Sequence, residues 1–594
     1  MFLTRPEIAG TFGVAASTHW IATGVAMAVL ERGGNAADAA VAAGFTLQVV
    51  EPHLNGPGGD CPILVHDAKA GAQSVICGQG PAPAGATITH YRGNLGLDLV
   101  PGTGFLAATV PGAFDAWATL LLCHGTWRLS DVLSFAIGYA EKGAHMVPRV
   151  VRTLDGVRPL FEQEWPTSAE LWLRDGGPQP GKLWRNPVLA ETWKRLLREA
   201  ARPARDAEIE AAREVWYRGF IAEAIARFVG GTEAMDTSGR RHRGVLSAED
   251  MARWRAPIEA PLKRRYRGVE LLKCGTWSQG PTALQLLALL EGFDLAAMDP
   301  LGERYVHTVV EAMKLAYADR EAFYGDPDFV EVPLEVLLSD GYAEARRALI
   351  GQHASLDPRP GEVPGFPARA PDYRAAIARA DEAAAMAGAG EPTLARLGAS
   401  AGDTCHVDVI DRWGNMVSAT PSGGWFQSSP AIPGLGFCLG TRAQMFWLDE
   451  AHPNGLAPGK RPRTTLSPGM VLRDGRAWMA FGTPGGEQQD QWQAIMLTRM
   501  VDHGWGIQQA IDAPSFHSEH WVSSFWPRGA RPGKLVLEGR FDPAVADALE
   551  ARGHRVTVGE DWSEGRLTAT RREPDGQLFA GANPRGMQGY AMGR

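Results

Sequence analysis

The sequence predicts an α+β protein, in which helical and strand patterns recur along 594 residues. Residues 19–31, 36–49 and 301–324 repeat apolar side chains at helical spacing. Residues 405–422 alternate apolar and polar side chains around a turn, as two paired strands do. The length exceeds what one simple core holds, so two or more packed units are expected.

The first two predicted helices carry clear end signals. The pattern of residues 19–31 is followed by Gly33-Gly34, and glycine is a usual helix stop. Asn35 can then cap the alanine-rich helix of residues 36–49, because its side chain accepts a hydrogen bond from a free backbone N–H group. The many alanines of this second helix suit it to close packing.

The third predicted helix, residues 301–324, contains His307 and Glu311 one turn apart. Such a pair is compatible with a metal site, but no further ligand stands at a matching spacing. The favoured interpretation is a packed histidine with a surface ion pair in the same helix. We therefore predict no metal ligand in this helix.

Composition excludes several classes of function. The net charge of −8 disfavours nucleic-acid binding, which needs concentrated positive charge. Residues 55–60 form a glycine-rich loop without the Lys-Ser/Thr ending of a phosphate loop. None of the six cysteines stands in a C-x-x-C pair, so most are expected to be buried apolar residues. Without a secretory leader or a membrane-length apolar run, a cytoplasmic protein is expected.

The composition and pattern of the sequence change abruptly at Thr404. Residues 352–403 are rich in Ala, Pro and Gly, which predicts a mobile linker with at most one short helix. A strand pattern then begins at Thr404. If the following hairpin is centred near Trp413, Ser422 lies opposite Thr404, although a one-residue change of register would move it. A threonine that merely starts a strand is the plainer alternative, since threonine favours strands.

Two later loops are rich in groups that bind substrate atoms. Residues 462–468 offer three hydroxyl groups in a series of turns. Residues 482–486 contain Gly485 and Gly486 directly after an apolar strand. Consecutive glycines allow backbone N–H groups to approach a reacting oxygen closely.

These segments together resemble the γ-glutamyltransferase family. The resemblance runs in the family's order along most of the chain, and the combination is specific although each piece alone is modest. It is carried by residues 33–42, 50–53, 311–320, 403–406, 460–468 and 483–486.

The resemblance implies an N-terminal-nucleophile hydrolase with a four-layer αββα sandwich. It implies a precursor that cuts itself between Asp403 and Thr404 into a large subunit, 1–403, and a small subunit, 404–594. Thr404 would be the nucleophile and its freed α-amine the base, since an α-amine has a reference pKa near 8. The other roles implied are support of the nucleophile by Ser422, an oxyanion hole at Gly485 and Gly486, and substrate binding by Thr464, Thr465 and Gln444.

Three positions depart from the pattern of γ-glutamyl-cleaving members. Ile88 stands where the family has an arginine that pairs with the α-carboxylate of glutamate, and Trp447 stands where an aspartate grips the α-amino group. Gly424 replaces an asparagine. A zwitterionic head group would lose charged contacts worth a few kcal/mol each.

The sequence therefore predicts an amidohydrolase or acyltransferase that forms an acyl-enzyme with a small amide other than a standard γ-glutamyl donor. The alternatives are a glutathione hydrolase or transpeptidase with altered glutamate recognition, and a catalytically silent binding protein. No cofactor is implied. The expected partners are the substrate and the two subunits of one precursor, with a dimer of the subunit pair as a further possibility, and with no nucleic acid and no membrane.

Overall fold

The computed structural model describes residues 2–385, 404–587 and 589–594. Its strands are β1 Ile8–Gly10, β2 Gly13–Ser17, β3 Cys61–Asp67, β4 Ala72–Gly78, β5 Ala144–His145, β6 Leu183–Trp184, β7 Ala234–Met235, β8 Arg241–His242, β9 Ile258–Glu259, β10 Leu262–Tyr266, β11 Val269–Lys273, β12 Val407–Asp411, β13 Met416–Ala419, β14 Gly469–Arg473, β15 Arg476–Gly482, β16 Phe516–Ser518, β17 Lys534–Leu537, β18 Arg555–Val558, β19 Thr568–Arg572, β20 Leu578–Ala582 and β21 Tyr590–Gly593.

The helices of the described residues are α1 Trp20–Glu31, α2 Ala36–Val50, α3 Ala113–His124, α4 Leu129–Lys142, α5 Pro148–Gln163, α6 Pro166–Trp172, α7 Pro187–Ala200, α8 Arg205–Arg218, α9 Phe220–Gly231, α10 Ala248–Arg253, α11 Gly280–Leu290, α12 Glu303–Phe323, α13 Leu334–Leu337, α14 Asp340–Arg347, α15 Tyr373–Ala385, α16 Gln488–His503, α17 Ile507–Asp512 and α18 Pro543–Ala551. No helix in this part of the chain is both long and apolar enough to cross a bilayer.

Two seven-stranded antiparallel sheets form the centre of the molecule. One has the order β1-β20-β19-β15-β14-β11-β10, and the other has the order β21-β2-β12-β13-β3-β4-β9. A buried cluster that includes Val14, Ile410, Met470 and Ala480 fills the space between their inner faces. Strand side chains alternate between faces, so each sheet has a second apolar face to cover.

Helices cover both outer faces. Helices α1 and α2 pack on one sheet, where Val407 and Val409 of β12 join a core that contains much of α2. Helices α11, α12 and α16 pack on the other sheet, where Met479 and Phe481 of β15 face them. Three apolar cores thus separate four layers, and the predicted αββα sandwich is confirmed.

The local predictions agree with the described elements. The Asn35 side chain accepts from Asp38 N and caps α2 as predicted. The hairpin of β12 and β13 has the predicted register, with Val407 opposite Ala419. Of the predicted linker, the described part of residues 352–385 contains one helix, α15, and the remainder lies outside the described residues.

Candidate active site

Thr404, the predicted nucleophile, lies just before the hairpin of β12 and β13, which we call the nucleophile hairpin. It lies opposite Ser422, as predicted. It forms an antiparallel bridge with Ser422, and its Oγ1 lies 3.2 Å from Ser422 Oγ. Cys405 N donates to Pro421 O at 2.9 Å, which holds the two segments together. Thr404 is almost fully buried. Asp403, the other residue of the predicted cleavage bond, lies outside the described residues.

Ser422 connects the nucleophile to a buried ion pair. Its Oγ accepts from Arg442 Nη2 at 2.5 Å, and Arg442 Nε donates to Asp60 Oδ2 at 2.8 Å. Asp60 also exchanges two backbone hydrogen bonds with Ser422, at 2.8 and 2.9 Å. A positive charge therefore stands one hydroxyl group away from Thr404. Nothing in the sequence pointed to this connection of Arg442 with the nucleophile.

The glycine-rich loop of residues 55–60 has a structural purpose. A Cβ atom at Gly59 would lie 2.0 Å from Ser422 O, and one at Gly58 would lie 2.2 Å from Cys438 O. Only glycine allows the backbone to approach this closely. The loop thus places Asp60 against the hairpin, and Asp60 in turn binds Arg442.

Gly485 and Gly486 precede the 16-residue helix α16. Both have positive φ, 128° and 55°. No acceptor among the described residues takes up their N–H groups, which lie at the partly positive N-terminus of the helix. A Cβ atom at Gly482, the last residue of β15, would lie 2.2 Å from the ring of His406. The start of the nucleophile strand therefore lies against the strand end that leads into this loop, as an oxyanion hole requires.

Three side chains support the loop of residues 482–486, which we call the glycine loop to distinguish it from the loop of residues 55–60. Gln279 Nε2 donates to Gly486 O at 3.2 Å, and its Oε1 accepts from Arg320 Nη1 at 3.0 Å. Tyr317 Oη donates to Glu487 O at 2.5 Å. All three are fully buried. Arg320 and Tyr317 lie in the segment that carries the family resemblance, but nothing in the sequence pointed to Gln279.

Thr464 and Thr465 differ in what their hydroxyl groups do. Thr464 Oγ1 accepts from Leu466 N at 3.3 Å, and its backbone is tied to Trp277 and Gln279. Thr465 Oγ1 is buried and has no partner among the described residues. Of the predicted pair, Thr465 is thus the one whose hydroxyl is available to a substrate.

Gln444 is held by its own surroundings. Its Nε2 donates to Gly102 O and to Thr441 Oγ1, and its Oε1 accepts from Trp526 N at 3.1 Å. The side chain therefore joins three loops around the predicted substrate pocket. Its geometry supports a bracing function, and direct contact with substrate stays a prediction.

The structure places Ile88 and Trp447 in different environments. Ile88 packs against an apolar cluster that contains Ala443 and Phe446. Trp447 packs with Val522 and Ala530, and its Nε1 donates to Glu321 Oε1 at 2.9 Å. Neither residue offers a charged contact to a ligand. They are not brought together into one apolar cluster.

Gly424 leaves no room for the asparagine that it replaces. It has φ 67°, and a Cβ atom there would lie 2.8 Å from Gly59 N. The close packing of the glycine-rich loop thus excludes a side chain at this position. The local backbone conformation thus accounts for glycine instead of asparagine at position 424.

A buried charge cluster surrounds Trp447. Arg463 Nη2 donates to Glu321 Oε2 at 2.5 Å, and the Arg528 guanidinium lies 3.8 Å from the centre of a Trp447 ring. Burial alone would raise the pKa of Glu321, but the arginines outweigh it and hold that pKa well below its usual range. Burial lowers the pKa of Arg528 to about 9. Sequence reasoning missed Glu321 and Arg528.

One prediction about helix α12 was wrong. The ion pair of Lys314 with Glu311 is buried, not on the surface, at 2.6 Å. The fold also brings His554 to His307, with His554 Nε2 2.9 Å from His307 Nδ1, so a third residue of a metal-binding type joins His307 and Glu311. Lys314 and Arg359 both donate to the Glu311 carboxylate, whereas His554 Nδ1 is buried with no hydrogen-bond partner among the described residues.

These features define a class of enzyme. A threonine whose base is its own α-amine can act only after the preceding peptide bond is cut, so such a protein is a self-processing N-terminal-nucleophile amide hydrolase. Residues 22–593 match the family profile described as Gamma-glutamyltranspeptidase. The chain belongs to this family, whose members act on amide bonds as hydrolases or transferases.

Two related proteins and one solved structure show which kinds of enzyme this chain is similar to. The chain is 32% identical over 595 residues to the glutathione hydrolase-like YwrD proenzyme of Bacillus subtilis (strain 168), covering 99% of both chains. It is 32% identical to the oxamate amidohydrolase proenzyme of Klebsiella pneumoniae, covering 97% of both. The crystal structure of cephalosporin acylase from Bacillus halodurans superposes with a TM-score of 0.83 at 28% identity, covering 100% of this chain and 98% of that one.

Proposed function

We propose that this protein cleaves a small amide whose acyl group carries a carboxylate but no α-amino group. Thr404 Oγ1 attacks the carbonyl, and its proton passes to the Thr404 α-amine. The resulting ammonium group gives a proton to the leaving nitrogen as the C–N bond breaks and the acyl-enzyme forms. The N–H groups of Gly485 and Gly486 stabilise the oxyanion. Attack of water, or of an acceptor amine, on the ester carbonyl releases the acyl group as a free acid or a new amide and regenerates the threonine hydroxyl.

The observation that carries this proposal is the charge around Trp447. Three buried guanidinium groups there meet two buried carboxylates, which leaves an excess of one positive charge. An ammonium group would be repelled, whereas a carboxylate would be attracted in this weakly screened interior. The five residues are Arg320, Arg463, Arg528, Glu321 and Glu487.

The family relatives support the same interpretation. A relative that covers nearly the whole chain is named for oxamate, an amide whose acyl group is a carboxylate bound directly to the carbonyl. Trp447 offers no side-chain charge for the α-amino group of glutamate. Ile88 offers none for its α-carboxylate, so the arginines around Trp447 would have to hold the carboxylate of the acyl group. A glutaryl amide, which is a γ-glutamyl amide without its amino group, fits both conditions.

The test is a matched set of 4-nitroanilides with glutaryl, γ-glutamyl and butyryl acyl groups, with ammonia release from oxamate measured beside them. We expect kcat/KM for the glutaryl compound to exceed both others by about tenfold, the value of one good charged contact. Faster turnover of the γ-glutamyl compound would contradict the proposal and favour a glutathione hydrolase with altered glutamate recognition.

A further inference from the structure

The loop between β16 and β17 contacts three parts of the predicted acyl site. Ser524 N donates to Glu487 Oε1 at 2.6 Å, beside the glycine loop. Trp526 N donates to Gln444 Oε1 at 3.1 Å. Arg528 donates to Met445 O at 2.6 Å and stacks on Trp447. We call residues 522–530 the wall loop.

Two of its buried side chains, Phe525 and Ser524, lie beside Gly486 and Glu487. The Phe525 ring covers Gly486, because Cε2 lies 3.1 Å from where a Cβ atom of that glycine would stand. Ser524 is 1% exposed, and its hydroxyl has no hydrogen-bond partner among the described residues. A buried hydroxyl in this state is ready to bind a ligand.

The wall loop is held rigidly from behind by helix α15. Ala530 N donates to Ala376 O at 3.0 Å, and Arg379 Nη2 donates to Arg528 O at 3.2 Å. A Cβ atom at Gly529 would lie 2.8 Å from Ala380 Cβ, so loop and helix are in close contact. A wall fixed in this way can select substrates by size.

We propose that the wall loop sets acyl specificity, with Phe525 limiting the length of the acyl chain beside Gly486 and Ser524 donating to its terminal carboxylate. This inference rests on the proposed function for the carboxylate. The steric part stands on the contact of Phe525 with Gly486 alone. Both residues act on substrate choice, not on the bond-making step.

The steric part is tested with straight-chain acyl 4-nitrophenyl esters from acetyl to hexanoyl, which acylate a threonine without needing a carboxylate. Phe525→Ala is expected to raise the hexanoyl-to-acetyl ratio of kcat/KM by about tenfold, and Phe525→Leu by an intermediate amount. The control Phe329→Ala, at a residue that is 47% exposed, should leave the ratio unchanged. An unchanged ratio in both Phe525 variants, with normal acylation, would overturn the proposal.

The polar part is tested with Ser524→Ala on glutaryl and butyryl 4-nitrophenyl esters. Loss of one hydrogen bond to a carboxylate should lower kcat/KM about tenfold for the glutaryl ester and leave the butyryl ester within about twofold. An equal loss on both esters would show a merely structural serine and overturn this assignment. If the anilide comparison fails while Phe525→Ala shifts chain length, only the proposed substrate class is wrong.

Discussion

At the scale of single residues, the nucleophile works beside a fixed charge. Arg442 reaches Thr404 through the Ser422 hydroxyl and is balanced by Asp60. In the proposed mechanism the base is the α-amine of Thr404, and an α-amine has a reference pKa of about 7.7–8. A nearby cation favours the neutral amine, which is the form that accepts a proton.

Replacing Arg442 by Met should therefore raise the apparent pKa of the base. The change removes the cation, so the ammonium form of the α-amine gains by about one pKa unit. The measurement is kcat/KM against pH, in which the rising limb should move to higher pH. Arg412→Met, at an exposed turn residue, is the control. A rising limb that stays in place or moves to lower pH would refute the role of Arg442.

The two neighbouring threonines give a matched pair. Thr465→Val should raise KM for a carboxylate-bearing substrate about tenfold with little change in thermal stability, because its hydroxyl has no partner in the described residues. Thr464→Val should instead cost about 1 kcal/mol of unfolding free energy, since its hydroxyl accepts from Leu466 N. The reverse pattern would assign the substrate contact to Thr464.

At the scale of elements, strand ends assemble the site. The C-terminal end of β15 and the N-terminal end of β12 meet at one edge of the sandwich, where His406 packs on Gly482. Helix α16 then begins directly after the glycine loop, so its N-terminal N–H groups point to that edge. Gln279 ties this loop to Arg320 of helix α12.

Gln279→Met should disturb the predicted oxyanion hole at Gly485 and Gly486, because Gln279 Nε2 donates to Gly486 O. Oxyanion donors act most strongly in the transition state, so we expect kcat to fall about 10- to 100-fold with KM within about threefold. Gln352→Met, at an exposed loop residue, is the control. A higher KM with unchanged kcat would show that Gln279 does not position the loop.

The sequence predicts elements better than contacts between them. The nucleophile hairpin could be predicted because alternation and the turn around Gly414 are local signals, and symmetry about Trp413 placed Ser422 opposite Thr404. The wall loop could not be predicted, because its contacts with the glycine loop and with helix α15 join segments far apart in sequence. Glu321 and Arg528 were missed for the same reason.

At the scale of the whole molecule, buried ion pairs link stability to pH. His517 on β16 lies 2.6 Å from Glu564 and 3.4 Å from Glu519. Burial opposes its charge, but the two carboxylates outweigh burial and raise the pKa of His517 to about 9. The folded protein therefore keeps a proton that the unfolded chain releases near pH 6.5.

The stability that His517 contributes is fully present below about pH 6.5 and is lost as pH rises through about 9. We expect the melting temperature of the wild type to fall across this window, by an amount equivalent to roughly 3 kcal/mol. His517→Gln should remove this slope, whereas the exposed-site control His353→Gln should keep it. A variant with the wild-type slope would contradict the assignment.

The central claim is that Thr404 cuts the chain before itself and then carries the acyl group. The most direct measurement is the intact mass of purified protein, before and after brief reaction with an acyl 4-nitrophenyl ester. We predict two fragments, the smaller beginning at Thr404 and gaining one acyl group, while Thr404→Ala stays a single unmodified chain. Cleavage before residue 404 in Thr404→Ala, or an acyl group on another residue of the wild type, would contradict the account.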